Sequence, residues 1–492
     1  MLKIRVIHLC ALILISMVLL QGCTVRELKP IRIIAELKVG ESQNVKMKNM
    51  KPVKLTLIEI KEVRDSLRNA IREADVKISV DGEEITLKTG NYNLPVSIGK
   101  VQIDCPWIKG FDPDSKITTD ALFRIWPEAT PYLNPLTFVY PVQDQKWFSN
   151  MTQSGHEPTY VDWGENPSIK NIYYHQGHDI GGAEGMDVIT SATDGIVISV
   201  KDEILGGYDS LPVYSNPDAV SVLDDRGWIV EYVHLYSIEP DIKLGEKVKM
   251  RQRIGTMGKQ GSSGGWVHLH FEIKTNDTPS GRWVTEDAYA YLWESYMKQY
   301  NPRIVAIARP HKFVWTGQEV ILDGNKSVSR TGHIVSYEWT FSDSTTAYGP
   351  VQKRIYKEPG EYSEILKVTD SKGNVDYDFA VVQVSNRENP EKLFPTIQPA
   401  FYPTSGIRSG QPVKFLVRTF NTDVSQERWD YGDGTAPQIV RSETVSRQDN
   451  TAGNFAETIH AFAKPGDYIV TVVRANEHGY KATGRLHVVV EE

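Results

Sequence analysis

The chain has 492 residues, 40% hydrophobic and 24% charged, with a formal charge of −7. That is too long for one core and too apolar for disorder, so about three or four folded units are expected at roughly 150 residues each. The acidic balance argues against nucleic acid as a partner.

Lys3 and Arg5 precede a 12-residue apolar run at residues 9–20. A membrane-spanning helix needs about 20 such residues. The shorter run suits the core of a signal peptide, placing residues 1–22 outside the fold. It ends in Leu20-Gln21-Gly22-Cys23, which resembles a bacterial lipoprotein signal. The resemblance implies cleavage before Cys23, lipidation of Cys23 and a membrane anchor. Thr24, where aspartate would imply inner-membrane retention, favours the outer membrane of the cell envelope, facing periplasm or surface. Cys10 leaves with the signal, so Cys105 has no partner and no intrachain disulfide is expected.

Residues 23–133 read as a β-rich domain. Val53, Leu55 and Leu57 alternate with polar residues, as do Val76, Ile78 and Val80, and Asp81-Gly82 signals a turn. Between these strands, Val63, Leu67, Ile71 and Ala74 fall at helical spacing and predict a helix over residues 62–74. Asp112 and Asp114 flank Pro113 and read as a solvated loop. Five prolines within residues 105–135 mark a boundary. Short strands separated by Gly, Asn and Asp follow over residues 134–300. A helix is expected near residues 286–299, with Thr285 as N-cap and Glu286 and Asp287 in its first turn. Its Tyr289, Trp293 and Tyr296 share one face and read as packing.

Two further units occupy residues 301–388 and 389–492. Each carries an aromatic-rich strand around a tryptophan (Trp339, Trp429), an acidic turn, and a Pro-Gly turn (Pro359-Gly360, Pro465-Gly466) before a β-branched strand. Both resemble PKD domains, which are immunoglobulin-like β-sandwiches. The second fits better through Gly432-Asp433-Gly434. The resemblance makes both tryptophans core residues and leaves protein or glycan ligands of these units as possible partners.

Five of the 12 histidines lie within residues 175–270. In His175-Gln176-Gly177-His178-Asp179 the glycines argue against a helix. In an extended strand, residues 175, 177 and 179 share a face, and Gly177 leaves room for an imidazole and a carboxylate to reach one cation. In His268-Leu269-His270-Phe271-Glu272, alternation sets two imidazoles and a carboxylate opposite two apolar side chains. Tyr232-Val233-His234-Leu235 supplies another histidine. Zinc suits such ligands, and three protein ligands leave a position for water. Further histidines can orient that water and move protons. His178 reads as structural, and His156, His311, His333, His460, His478 and His487 have no partner pattern.

This segment resembles the M23 (LytM/lysostaphin-like) metallopeptidases, whose pattern is His-x-Gly-x-Asp, a lone histidine before leucine, then His-x-His. The connecting residues 185–197 and 245–258 match as well, and the resemblance covers about residues 136–300. It implies one Zn2+ held by His175, Asp179 and His270, with His234 and His268 as the catalytic pair. Which of the two polarises water, and which stabilises the oxyanion or protonates the leaving amine, stays open. Two departures are Trp266-Val267 between the last glycine and His268, and Met186 where proline is usual. The fold expected is mainly β and multidomain: an antiparallel β-sheet peptidase domain, an N-terminal β-rich domain and two β-sandwiches. The function expected is zinc-dependent endopeptidase activity on peptide cross-links of peptidoglycan, from a lipid-tethered position. An extracellular glycine-rich protein is the rival substrate. A non-catalytic LytM-like scaffold or activator is the rival class, distinguished by needing no stoichiometric zinc.

Overall fold

The computed structural model describes residues 28–492 except 90–91, 113–116, 148–151, 154–157, 161–171 and 445–450, and the backbone alone within 152–160. Cys23, Asp114 and His156 lie outside the described residues or side chains. The architecture is β-rich and multidomain, built mainly from antiparallel strand pairs, as expected.

The N-terminal unit packs two sheets around one apolar cluster. One has strands β2 (Ser42–Val45), β3 (Val53–Arg64), β4 (Ile71–Val80) and β5 (Glu83–Thr89) in that order. The other has β1 (Ile33–Leu37), β8 (Ala121–Pro127), β7 (Val101–Ile108) and β6 (Val96–Ile98). Val53, Leu55, Leu57, Val76, Ile78 and Val80 face the core at period two. Cys105 is a buried thiol.

The helix expected over residues 62–74 is instead the end of the β3–β4 hairpin, with Glu62 opposite Ala74. Local turn chemistry overrides the helical spacing. Asp65 Oδ1 accepts hydrogen bonds from the Leu67 and Arg68 amides at 3.1 and 2.8 Å. Asn69 adopts a positive φ of 60° that a helix forbids. Val63 is left 43% exposed, off the expected face.

The next unit centres on an antiparallel sheet in the order β10 (Gly195–Val200), β11 (Val220–Asp224), β12 (Ile229–Val233), β13 (His268–Thr275), β9 (His178–Gly181). These strands are buried on both faces. Helix α1 (Tyr289–Tyr300) begins three residues later than expected. Thr285 is no cap; it lies in the short strand Val284–Glu286 paired with β13. The Asp287 carboxylate accepts the Tyr289 amide at 2.9 Å. Tyr289, Trp293 and Tyr296 are buried and interlock with Trp147, which is packing as expected.

Two β-sandwiches follow. The first contains β14 (Ile334–Thr340), β15 (Gly360–Asp370) and β16 (Val375–Ser385). The second contains β17 (Thr396–Tyr402), β18 (Pro412–Phe420), β19 (Glu427–Asp430), β20 (Gly466–Ala475) and β21 (Lys481–Glu491). Trp339 and Trp429 are fully buried core residues of the two. One sheet runs through both sandwiches, because β15 pairs in parallel with β21 at Gly360↔Lys481 and Glu361↔Ala482.

Candidate metal centre and its histidine pair

Strand register builds the site. In β13, Leu269, Phe271 and Ile273 enter the core, so His268, His270 and Glu272 share the opposite face. His270 stands opposite Asp179 of β9 on one side and Val233 of β12 on the other. His234, the first residue after β12, therefore arrives beside the same strand. His175 enters from the turn preceding β9.

Gly177 makes that turn possible. Its φ is +87°, and a Cβ there would stand 2.9 Å from the Phe271 carbonyl oxygen and 3.0 Å from the His270 ring. Only glycine lets residues 175 and 179 close on His270 together.

Three donor atoms converge. His175 Nε2 is 3.0 Å from His270 Nδ1, His270 Nδ1 is 2.9 Å from Asp179 Oδ1, and His175 Nε2 is 3.2 Å from Asp179 Oδ1. A tetrahedral ion with bonds of about 2.0–2.1 Å holds its donors about 3.3 Å apart. Two imidazoles and a carboxylate in such a triangle fit a borderline-soft divalent cation with one open position. These three residues would hold the metal.

The electrostatics agree. Burial alone would raise the Asp179 carboxyl, but His175, His268 and His270 hold it well below the usual carboxylate range. Burial works against a proton on His270, yet Asp179 and Glu272 override it and lift the imidazole to about 10. A cation binding at His270 Nδ1 must displace that proton. On the ring's other side, Glu272 Oε2 faces Nε2 at 3.7 Å and is itself held by Lys274 and Thr285. A carboxylate there keeps the Nε2 proton in place and points the Nδ1 lone pair at the other donors.

His234 and His268 flank this triangle. Their ring centroids are 4.8 Å apart, and His268 Nε2 is 3.5 Å from Asp179 Oδ2. Burial holds the His268 ring down to about 3, with the other histidines adding to the effect against the pull of Asp179. Its Nδ1 lies 3.1 Å from the Trp266 carbonyl oxygen, so the neutral ring carries its proton on Nδ1.

His234 is held differently, and the residue that holds it carried no sequence signal. Asp218 Oδ2 accepts the His234 amide at 3.0 Å and lies 3.1 Å from ring Nδ1, which is also 2.8 Å from the Gln260 carbonyl oxygen. Two acceptors at Nδ1 place a proton there and leave Nε2 free for chemistry. The backbone of His234 has φ +67°, an uncommon conformation for a residue with a side chain. Asp218 sits in the loop Asn216-Pro217-Asp218 before β11, where periodicity and spacing say nothing. His178 points from β9 into the core against Tyr289 and Tyr92, and burial keeps it down to about 3. It is structural.

The comparisons agree with this geometry. The family model for Peptidase family M23 matches residues 173–281, and the PKD domain model matches residues 301–384. An uncharacterized metalloprotease of Buchnera aphidicola subsp. Baizongia pistaciae is 33% identical over 108 residues, covering 22% of this chain and 25% of its own. The microbial collagenase of Vibrio alginolyticus is 29% identical over 107 residues, 20% of this chain and 13% of its own. The chain thus spans a quarter or less of the length of either relative. Lipoprotein NlpD of Yersinia enterocolitica is 32% identical over 96 residues, 20% of this chain and 84% of its own. With the donor triangle, the flanking histidines and these matches in agreement, the chain belongs to peptidase family M23 through residues 173–281.

Proposed function

We propose that the protein is a zinc-dependent endopeptidase that hydrolyses peptide cross-links of bacterial peptidoglycan. The observation that carries this reading is the convergence of His175, Asp179 and His270 beside two histidines whose Nδ1 atoms are each held by an oxygen acceptor. Bound zinc supplies Lewis acidity that polarises an amide carbonyl and acidifies water. The roles of the pair are open in the sequence, and what stands behind each ring supports one order. Asp218 lies behind His234, its carboxylate oxygen 3.1 Å from Nδ1, so His234 Nε2 takes the proton of the attacking water and passes it to the leaving amine. His268 has only a carbonyl behind it and stays neutral, so its Nε2 orients that water by accepting a hydrogen bond.

Tethering through a lipid on Cys23, at the outer membrane, would hold this site within reach of the wall polymer. The relation to Lipoprotein NlpD favours a lipoprotein. A second reading, an extracellular protein as substrate, draws on the match to a microbial collagenase. The scaffold reading is opposed by the complete donor set. Purified sacculi and a glycine-rich protein, each incubated with zinc-loaded protein, decide between them. New amine termini from sacculi support the wall reading, and cleavage of the protein alone selects the second. Neither, with no zinc retained, leaves the scaffold.

A further inference from the structure

The second sandwich is built onto the loop that carries His268. Alternation in β17 and β18 sends Ile397, Phe401, Val413, Phe415 and Val417 into the sandwich's own core. The opposite face should meet water. It does not: Gln398 is 1% exposed and Arg418 0%, and Ala400 and Leu416 belong to the peptidase core cluster.

Gln398 is the central contact. Its Oε1 accepts the Val267 amide at 2.8 Å, and its Nε2 donates to the Val267 carbonyl at 2.8 Å. One side chain thereby grips both ends of the residue before His268, across 131 positions of sequence. The preceding residue is held too. Trp266 stacks on Phe420 of β18, centroids 4.7 Å apart at 21°, and Arg418 donates to the Gly265 carbonyl at 3.2 Å while lying over the Phe420 ring. The Trp266 carbonyl is the group that fixes the His268 ring. So Gly265, Trp266 and Val267 are each fastened to the second sandwich, and the last two define where His268 stands.

We infer that Gln398 is a positioning residue for the peptidase site, acting through the Val267 peptide on His268, and that the second sandwich completes the site. The inference rests on the peptidase reading of His268, and it explains Trp266-Val267: the two residues span the distance from the glycine turn to the sandwich face. Gly264 and Gly265 both sit at positive φ, where the backbone is intrinsically permissive, and fixing the loop's end at the sandwich narrows its conformations before substrate arrives.

The test uses the full chain with Gln398→Leu, which keeps the bulk and loses both hydrogen bonds. Gln398→Glu, which retains the acceptor for the Val267 amide but sets an oxygen against the Val267 carbonyl, serves as the second variant. Ser405→Ala is the control, because Ser405 bonds the Asp144 carbonyl at 2.8 Å in the same interface but away from the loop. Hydrogen exchange is measured over residues 262–268, and kcat, KM and zinc content on soluble cross-linked muropeptides. Exchange should accelerate about tenfold or more in both Gln398 variants and not in the control. kcat should fall about ten- to a hundredfold in Gln398→Leu, with KM within about twofold and zinc retained. Unchanged loop exchange, or equal kcat losses in Ser405→Ala and Gln398→Leu, would overturn the inference. If the wild-type protein cleaves no muropeptide, the wall reading fails, and the exchange result still decides the role of Gln398.

Discussion

At the residue scale, chemistry depends on which atom of each side chain is already engaged. Asp218 carries the clearest expectation. Asp218→Asn keeps an acceptor for the His234 amide but removes the charge behind the ring. The activity should drop about ten- to a hundredfold with zinc content unchanged; full activity would remove His234 from the proton-transfer role. Asp187 supplies a test by pH. Burial raises its carboxyl from 3.8 to about 7, against the Ala183 amide bonded to it. A raised carboxyl favours the protonated fold, so its contribution is fully present below about pH 4 and is lost as pH rises through 7. Asp187→Asn should flatten that part of the stability profile by up to about 1.4 kcal/mol per pH unit, read from melting temperatures between pH 4 and 8. Parallel wild-type and variant profiles would contradict the assignment. The ligand set was legible in the sequence because each motif is local: His175 and Asp179, or His268 and His270, are placed by one turn or one strand. Asp218 was not, because its partner lies 16 positions away, across the β11–β12 hairpin.

At the element scale, period two was read correctly at Val53, Leu55 and Leu57 and at Val76, Ile78 and Val80. The error at residues 62–74 shows the limit of that method. Four apolar residues at helical spacing occurred by coincidence across a hairpin, and the decisive information was the turn chemistry of Asp65 and Asn69. The turn before β9 makes the matching demand on Gly177. Gly177→Ala meets both a positive φ and a Cβ crowded by the Phe271 carbonyl and the His270 ring. It should cost more than about 1 kcal/mol of stability and weaken zinc binding, measured by melting and competition with a chelator. A variant that binds zinc as the wild type does would mean that the turn can shift without moving the ligands.

At the scale of the whole molecule, the units are fastened through buried polar contacts that no local pattern announces. Arg124 of β8 is fully buried, 2.5 Å from Asp104 and 3.1 Å from Glu286, and donates to the Asp287 carbonyl at 2.6 Å. Arg32 pairs with the same Glu286 and with Asp277. Arg124→Met leaves Asp104 buried without its cation and should destabilise the joint between N-terminal unit and peptidase by about 3–5 kcal/mol, seen as a lower melting temperature. An unchanged melt would mean that the joint contributes little. The sandwiches themselves were legible from their repeat, with Trp339 and Trp429 in their cores, whereas the outer face of β17 was not. Gln398 and Arg418 look like ordinary surface residues until Val267 and Gly265 are placed against them. The central claim is that His175, Asp179 and His270 assemble a zinc site that opens wall peptides. Mass spectrometry of purified sacculi digested by residues 24–492, beside the His270→Ala protein, tests it most directly. The account predicts new peptide termini from the wild type and none from the variant. Zinc-loaded wild type that releases no new termini, or a His270→Ala protein that releases as many, would contradict it.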